Sequence, residues 1–496
     1  MPLTLPQLDE PREAKEKCGV VGIWGEEHPA RLAFLSLYAL QHRGQESAGL
    51  CTTDGRIIDR AVGMGLVSQA ITQRDIERLD AHAAARATAH AGKGVRKWGG
   101  AIGHNRYSTM GPSAAANAQP LVGHYRGGPV ALAHNGNLVN AVQQRKELEG
   151  KGHAFSTTSD TEVMLALMAA ASRDKECDAL AEALQQVSGA FSIVVLHQDR
   201  IEAARDPFGW RPLAIGKLPS GSYFVASETV ALDVLGATYV RDVEPGEIVT
   251  LSDDGLSSRR FAEASPRRAH CVFEHVYFAS PASLIFGQTV QTVRERLGAK
   301  LAEEAPVEAD LVMPMPDSGR SAATGYARAS GLPYREGIIP NRYVGRTFIK
   351  PTDAERAAAV RVKLNIVSEV VRDKRVVIVD DSVVRGTTTK IKMDQVRAAG
   401  AKEVHLRISC PPIRYPCFFG VDFADPSELI ATNRSVEKIR EIIGVDSLHF
   451  LSIDGMLSVA ACADVAGEHF CTACYSGEYR IAIDPALRKH AMTGNC

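Results

Sequence analysis

Two adjacent carboxylates follow an apolar run in the second half of the chain. Residues 376–379 are all apolar and predict a strand buried on both faces, with Asp380 and Asp381 at its carboxyl end. Open α/β sheets bind ligands at that end. Because burying two carboxylates is costly unless hydroxyls or a cation satisfy them, a ribose diol with Mg²⁺ suits the site. We therefore predict a sugar and Mg²⁺ site at these two acids.

The residues after the two acids have the composition of a phosphate loop. Hydroxyl side chains and a glycine precede a helix that is predicted to begin at Thr388 or Thr389, so backbone N–H groups and the helix dipole would face an anion. A diol site beside a phosphate site predicts a 5-phosphoribosyl ligand. By pattern alone, a strand–loop–helix turn with two solvated acids remains the alternative. The predicted binding residues are Asp380, Asp381, Ser382, Val383, Val384, Arg385, Gly386, Thr387 and Thr388.

The stretch DDSVVRGTT at residues 380–388 resembles the phosphoribosyl pyrophosphate (PRPP) motif of type I phosphoribosyltransferases. The resemblance implies that the acids hold the ribose hydroxyls and that the loop holds the 5-phosphate. Upstream, the apolar residues 309–315 predict a second buried strand. Asp317, Ser318 and Gly319 follow it ahead of a helix and form a second anion site, which in the family receives pyrophosphate.

A basic segment lies between the two predicted anion sites. Long cationic side chains around a glycine suit a mobile lid that neutralises departing pyrophosphate. Charge alone leaves a solvated basic loop as the alternative. The stretch NRYVGRTFI resembles the flexible loop of the glutamine PRPP amidotransferases. That resemblance implies lid or pyrophosphate contacts from Arg342, Tyr343, Arg346, Arg361 and Lys363.

In the first half, a cysteine opens the apolar run CGVVGIWG. Taken alone, Cys18 is better explained as a small buried hydrophobe, since free cysteine is among the most buried residue types. A thiol of pKa about 8.5 needs a base, and the amine of the same residue can serve only at the chain terminus. If Cys18 is a nucleophile, residues 1–17 must be a propeptide, and their prolines and charges predict disorder.

Five motifs stand in the order found in N-terminal-nucleophile glutamine amidotransferases. The resemblance implies an α+β domain of αββα layers. It implies that Arg106 binds the α-carboxylate of glutamine, that Asp160 holds its α-amine, and that Asn135 with the Gly136 N–H forms the oxyanion hole. An ordinary Asn-Gly turn is the local alternative at Asn135. The motifs are CGVVGIWG (18–25), HRGQESAG (42–49), GHNRYSTMG (103–111), HNGNL (134–138) and TSDTE (158–162).

The elements that must position these residues divide the chain into two predicted domains. A glutaminase domain of the N-terminal-nucleophile fold (18–260) would end in a polar run at 253–268. An α/β type I phosphoribosyltransferase domain (261–480) would carry a cluster-binding C-terminal segment, followed by a tail at 481–496. The stretch ARDPFGWRPL, residues 204–213, also occurs in the family, and packing is its safer interpretation.

Four of the ten cysteines stand in segments that resemble the ligand segments of the iron–sulfur subclass of glutamine PRPP amidotransferases. The segments are CVFE (Cys271), PPIRYPCFFG (Cys417) and FCTACYSGEY (Cys471 and Cys474). By ligand count, four thiolates suit a 4Fe–4S cluster or tetrahedral zinc, and the resemblance favours iron–sulfur as a structural staple. Four unrelated core thiols are the alternative.

Three positions depart from the pattern of the family. Pro340 stands where a lysine commonly precedes the lid, and Ser280 and Ala282 stand where a charge pair is common. Losing a lysine near an anion site bears on nucleotide feedback and on pyrophosphate contacts. The catalytic assignments do not depend on these positions.

Composition restricts the setting in which the protein works. The 496 residues carry a net charge of −1 and are 45% hydrophobic, so no nucleic-acid partner is expected. No segment approaches the ~20 apolar residues of a membrane span, and the N-terminus has no apolar signal region. We therefore expect no membrane partner and a cytoplasmic protein, whose cysteines are thiols or metal ligands.

The resemblances together imply one reaction. Cys18 would release ammonia from glutamine, and a closed channel would carry it to C1 of PRPP, giving 5-phosphoribosylamine, glutamate and pyrophosphate at the start of purine synthesis. AMP- and GMP-type inhibitors and a homotetramer are expected as well. Two rivals stay open. Another N-terminal-nucleophile amidotransferase would lack the PRPP motif, and a PRPP-sensing regulator would lack Cys18, Asn135 and the lid residue Arg346.

Overall fold

The computed structural model describes residues 18–89, 98–107, 114–171, 178–341, 364–421 and 426–483. The predicted propeptide and the predicted lid residues Arg342, Tyr343, Arg346, Arg361 and Lys363 lie outside these ranges. Within them, the chain forms a two-sheet sandwich followed by a parallel sheet with helices. No helix of the described residues is long and apolar enough to cross a bilayer.

Thirteen strands of the first half, as far as it is described, form two facing sheets. The first has the order β11-β9-β10-β1-β4-β2-β3 and the second the order β13-β12-β8-β7-β6-β5. All pairings within them are antiparallel. The strands are β1 Gly19–Trp24, β2 Ser47–Thr53, β3 Ile58–Met64, β4 Gly100–Arg106, β5 Leu121–Tyr125, β6 Gly128–Leu138, β7 Gly189–Leu196, β8 Arg200–Arg205, β9 Ala214–Lys217, β10 Tyr223–Ala226, β11 Thr238–Asp242, β12 Glu247–Ser252 and β13 Gly255–Arg260.

Helices cover the outer faces of both sheets. One apolar core lies between α1 and the first sheet, a second lies between the two sheets, and a third lies between the second sheet and the α4–α6 helices. These layers confirm the predicted αββα arrangement. The helices are α1 Pro29–Ala39, α2 Val67–Ala70, α3 Gln73–Ala89, α4 Ala141–Gly150, α5 Asp160–Ala171, α6 Ala179–Gln186 and α7 Val230–Val234.

The second half is built on a parallel sheet of order β17-β20-β21-β22. Its strands are β14 His270–Cys271, β15 Leu284–Ile285, β16 Gln288–Thr289, β17 Leu311–Pro314, β18 Ile338–Pro340, β19 Leu364–Ile366, β20 Arg375–Asp380, β21 Glu403–Ile408, β22 Ser447–Phe450 and β23 Phe470–Cys471. Its helices are α8 Val290–Glu304, α9 Arg320–Ser330, α10 Ser368–Val371, α11 Thr387–Ala398, α12 Val436–Ile443, α13 Ile453–Ala460 and α14 Ala473–Ser476. The apolar strand residues lie inside one continuous core, which confirms the predicted α/β sheet.

The chain changes direction across this sheet at β17. A short parallel bridge joins Val312 to Tyr334 on one side of β17, and β20 pairs with its other side. The reversal places a crevice between the carboxyl ends of β17 and β20, which is where open α/β sheets bind ligands. Both predicted anion loops leave the sheet at this crevice.

The start of one helix and the structure of one polar run differ from the sequence prediction. Helix α11 begins at Thr387, one residue earlier than predicted, because Gly386 takes a φ of 77° and starts the helix. The polar run predicted as a domain boundary contains β13, since the turn at residues 253–255 folds the chain back onto β12. The exposed polar side chains of β13 gave no strand pattern in the sequence, although β13 is an edge strand that pairs with the preceding strand β12.

Candidate functional site

A cavity of about 310 Å³ opens between the carboxyl ends of β17 and β20. All nine predicted phosphoribosyl-binding residues line it, together with Asp317 and Ser318. The sequence prediction missed further lining residues. They are Tyr277, Met315, Pro316, Thr389 and Lys392. Tyr277 comes from a π-helical turn more than 100 residues upstream of the phosphate loop, so no local pattern identified it.

The two acids of this cavity are buried and preoriented. Asp380 is 8% exposed and Asp381 is 4% exposed. The Asp381 N–H donates to Asp380 Oδ1 over 3.0 Å, and the Ser382 hydroxyl donates to Asp381 Oδ1. Oxygen donors of this kind are the ligands that Mg²⁺ prefers, so the donor set fits the predicted cation. The N-terminus of α11 faces the same space, as an anion site requires.

Not every predicted residue of the loops faces the cavity in the same way. Gly319 does not line it. A Cβ there would lie 2.4 Å from the Val379 carbonyl oxygen, so Gly319 allows the start of α9 to pack against β20. Arg385 lines the cavity, but its guanidinium is paired with Glu428. The loop glycine and this ion pair therefore shape the cavity wall.

Cys18 lies at the start of β1, inside the sandwich. Its side chain is buried, and its Sγ lies 3.5 Å from the Tyr107 carbonyl oxygen. The Cys18 carbonyl accepts a hydrogen bond from Arg43 Nε over 3.0 Å. The position of this residue is therefore fixed through its backbone by a buried cation.

Asn135 and Gly136 lie on β6 of the facing sheet, against which β1 and β4 pack. Asn135 Nδ2 is buried and has no hydrogen-bond partner among the residues described. A buried unpaired donor is costly unless a ligand completes it, which is the condition of an oxyanion hole before substrate binds. A Cβ at Gly136 would lie 2.0 Å from the Ala190 carbonyl oxygen, so only glycine fits.

A histidine pair joins the two sheets behind these residues. His104 Nε2 on β4 donates to the His134 carbonyl on β6 over 3.0 Å. Burial lowers the pKa of His104 to about 3, so its ring is neutral and acts as a fixed hydrogen-bond donor. This hydrogen bond thereby fixes the position of the sheet of Cys18 relative to the sheet of Asn135.

The two predicted glutamine contacts are also buried. Arg106 Nη1 donates to Glu46 Oε1 over 2.8 Å. Asp160 accepts from the Leu138 N–H over 3.0 Å, with His134 Nδ1 at 3.4 Å. Burial would raise the pKa of Asp160, but these neighbours hold it below its usual value, so the carboxylate is charged and able to bind an amine.

A buried charge network joins the two domains beside Cys18, and sequence analysis missed it. Arg43 pairs with Glu228 of the sandwich and with both oxygens of Glu274 of the second domain, at 2.9 and 2.8 Å. Glu228 also accepts from the Ser280 N–H and the Ser283 hydroxyl. Arg43 lies 185 residues before Glu228 and 231 residues before Glu274 in the sequence, so no local spacing could have revealed the network.

The four predicted cluster cysteines converge at the junction of the domains. Cys271 and Cys471 are direct partners in the parallel β14–β23 pair, and Cys474 lies one turn beyond Cys471, in α14. Burial raises the pKa of Cys271 to about 12 and that of Cys417 to about 11, and each further thiolate charge acts in the same direction. Such thiols ionise together only if positive charge compensates them, so the donor set fits an iron–sulfur group.

Zinc and an iron–sulfur cluster place different demands on these four thiols. Over the described ranges, no three His, Cys, Asp or Glu side chains lie close enough to hold a single metal ion. A tetrahedral zinc would draw four sulfurs to about 2.3 Å from one point. The metal roles of all four cysteines stay predictions.

Comparison with known proteins gives a consistent result over nearly the whole chain. Residues 104–234 match the glutamine amidotransferase domain family. An amidophosphoribosyltransferase of Synechococcus elongatus is 46% identical over 491 residues, covering 98% of this chain and 95% of its own. One of Bacillus subtilis is 44% identical over 478 residues, covering 96% of both chains.

Solved structures agree with the sequence matches. The structure of glutamine PRPP amidotransferase from B. subtilis, complexed with ADP and GMP, superposes with a TM-score of 0.86 at 44% identity. The match covers 95% of this chain and all of that one. Identity and coverage at this level confirm the family that the sequence motifs predicted. The chain belongs to the amidophosphoribosyltransferase family.

Proposed function

We propose that this protein transfers the amide nitrogen of glutamine to C1 of PRPP. The products are 5-phosphoribosylamine, pyrophosphate and glutamate, and one water is consumed. The observation that carries the proposal is the cavity at the switch point of the parallel sheet, lined by both predicted anion loops. The same chain holds the glutaminase sandwich, which supplies the nitrogen.

The glutaminase half works with residues of the two facing sheets. After removal of residues 1–17, the α-amine of Cys18 accepts the thiol proton, and Sγ attacks the side-chain amide carbon of glutamine. Asn135 Nδ2 and the Gly136 N–H stabilise the oxyanion, while Arg106 and Asp160 hold the amino-acid end. The amide nitrogen leaves as ammonia, and water hydrolyses the thioester to glutamate.

The phosphoribosyl half binds the sugar and stabilises the leaving group. Asp380 and Asp381 orient the ribose hydroxyls, and residues 382–388 bind the 5-phosphate at the N-terminus of α11. Asp317 and Ser318 would contact the pyrophosphate, and further contacts are proposed from Arg342, Tyr343, Arg346, Arg361 and Lys363. Asp380 and Asp381 would hold Mg²⁺, which would supply positive charge to the departing pyrophosphate. Ammonia arrives through a closed passage, because in water at neutral pH it is mostly protonated.

The remaining parts of the proposal concern cofactors, regulators and assembly. Cys271, Cys417, Cys471 and Cys474 hold a 4Fe–4S cluster, which ties β14, residue 417 and α14 together. Purine nucleotides of the AMP and GMP type inhibit, in line with the ADP and GMP of the B. subtilis complex. A homotetramer and a cytoplasmic location stay predictions.

Two substitutions test the two halves of the reaction separately. Cys18→Ala should abolish glutamine-dependent formation of pyrophosphate from PRPP while ammonium salts still support it. Asp381→Asn should abolish turnover with either nitrogen source, because it removes a contact to the ribose. Cys51→Ala, a buried thiol of β2, is the matched control for the first change. Glutamine use that survives Cys18→Ala, or ammonium use that survives Asp381→Asn, would refute the proposal.

A further inference from the structure

Arg211 lies in the stretch ARDPFGWRPL, which has no part in the proposed reaction, yet it extends into the second domain. It is 1% exposed. Its Nη2 donates to the Phe419 carbonyl over 2.8 Å, and its Nη1 lies 3.2 Å from Glu274 Oε1. Its own carbonyl accepts from the Ser192 hydroxyl of β7 over 3.2 Å. Arg211 therefore links the second sheet of the sandwich to a loop of the other domain.

The preceding carbonyl of that loop is bound in the same manner. Asn137 Nδ2 donates to the Phe418 carbonyl over 2.9 Å. Asn137 lies on β6 immediately after Gly136 and two residues after Asn135. Two consecutive carbonyls of the second domain thus accept hydrogen bonds from the first domain, one of them from the strand that carries the oxyanion-hole residues.

The next residue of the loop touches that strand directly. Gly420 has a φ of 95°, and a Cβ there would lie 3.0 Å from Arg211 Nη2 and 3.3 Å from the Gly136 carbonyl carbon. The Phe419 ring stacks on Trp210 with centroids 4.4 Å apart, which anchors the loop from its other side. A methyl group added at Gly420 would therefore press on the backbone of Gly136.

Glu274 of the second domain completes the arrangement on the nucleophile side. It pairs with Arg43, whose Nε donates to the Cys18 carbonyl, and it also contacts Arg211. The second domain thereby supports both the nucleophile and the oxyanion-hole residues of the glutamine site. Neither support passes through a residue assigned to the reaction.

We propose that the segment 418–420 is a positioning element of the glutamine site, which sets the position of Asn135 and Gly136 relative to Cys18. This inference rests on the proposed glutaminase chemistry. An oxyanion hole acts only when its donors lie about 2.7–3.1 Å from the developing charge, and a misplacement of about 1 Å can cost about 100-fold in rate. Asn137, Arg211 and the segment are positioning residues, because none of them touches a reacting atom.

A pair of glycine substitutions tests this proposal. Gly420→Ala adds a methyl group against Gly136, whereas Gly331→Ala adds one at a similar φ of 74° with nothing within 4 Å. Both positions have a positive φ that disfavours alanine, so the two substitutions share this kind of strain, and only Gly420→Ala adds a close contact. For Gly420→Ala we expect the kcat with glutamine to fall at least about tenfold, while the KM for glutamine and ammonium-dependent turnover stay within about threefold. Gly331→Ala should leave all three unchanged.

Asn137→Ala provides a second variant that adds no atoms, and it decides the question if Gly420→Ala does not fold. It removes the hydrogen bond to the Phe418 carbonyl. Like Gly420→Ala, it should lower the ratio of glutamine-dependent to ammonium-dependent turnover. Equal loss of both activities would mean a merely structural role and would overturn the proposal, as would no loss of either. An unmodified enzyme without glutaminase activity would instead refute the proposed function itself.

Discussion

Arg43 donates a hydrogen bond from Nε to the backbone carbonyl of Cys18 over 3.0 Å. The same guanidinium is buried between Glu228 and Glu274, so the residue that holds the proposed nucleophile is also an ion-pair partner of the other domain. Burial would lower the pKa of Arg43, but the two carboxylates hold it above its usual value. The Arg43 guanidinium therefore keeps its charge at neutral pH.

Arg43→Met should destabilise the protein strongly. The substitution puts an apolar side chain of similar length in place of the guanidinium. It leaves the carboxylates of Glu228 and Glu274 buried without the cation that they share. Removing one partner from a buried ion pair costs about 3–5 kcal/mol. The expected result is a lower midpoint of urea unfolding, measured by circular dichroism.

The matched control is Lys438→Ala, which removes an exposed ion pair with Glu441 on α12. That variant should unfold at the same urea concentration as the unmodified protein, since exposed pairs contribute little. Similar midpoints for Arg43→Met and Lys438→Ala would show that the buried network does not stabilise the fold.

The same network predicts how stability depends on pH. Burial alone would raise the pKa of Glu274, but Arg43 and Arg211 outweigh it and hold the pKa below the usual value of about 4.3. Below that pH the unfolded chain binds a proton that the folded chain does not, so stability falls as the pH falls. Glu274→Gln should flatten this dependence between about pH 5 and about pH 3, measured by urea unfolding at each pH. Equal slopes for the two proteins would contradict the prediction.

Sequence reasoning succeeded where function depends on contiguous residues. The apolar run before Asp380 predicted the strand, its buried carboxyl end and the cavity there, because a strand and the loop after it are encoded locally. Arg43, Glu228 and Glu274 form a site element that no spacing could reveal, since each is an unremarkable charged residue in its own segment. Tertiary structure alone determines that they meet.

The stretch ARDPFGWRPL illustrates a different limit. Its interpretation as packing was right for Asp206, whose carboxylate accepts from the Phe191, Phe208 and Gly209 N–H groups. The same interpretation missed Arg211, because the partner of Arg211 is a backbone carbonyl of the other domain. Every residue has a backbone carbonyl, so the sequence of a segment does not show which of its carbonyls will accept a hydrogen bond from a distant side chain.

Asn135→Ala should slow the glutaminase step. It removes a buried amide donor that has no partner in the described part of the chain, and losing one oxyanion donor costs about 10²–10³ in kcat. Ammonium-dependent turnover should be unchanged, because the PRPP cavity is intact. Asn140→Ala is the control, since its amide bonds the Gln186 carbonyl at the surface. Steady-state rates with each nitrogen source measure the effect, and a loss below tenfold would exclude Asn135 from the oxyanion hole.

Cys417→Ser should remove bound iron and acid-labile sulfide, measured on protein purified without oxygen. Cys417 is one of four facing thiols, and a serine oxygen is a poor ligand for this group. Cys462→Ser is the matched control, because Cys462 is half-buried, stands outside the four, and its Sγ donates to the Phe286 carbonyl. The unmodified protein should contain four irons and four sulfides per chain, and Cys462→Ser should retain them. Zinc in a one-to-one ratio would contradict the iron–sulfur assignment. Iron that survives Cys417→Ser would contradict the assignment of the ligands, since it needs a ligand set other than these four thiols.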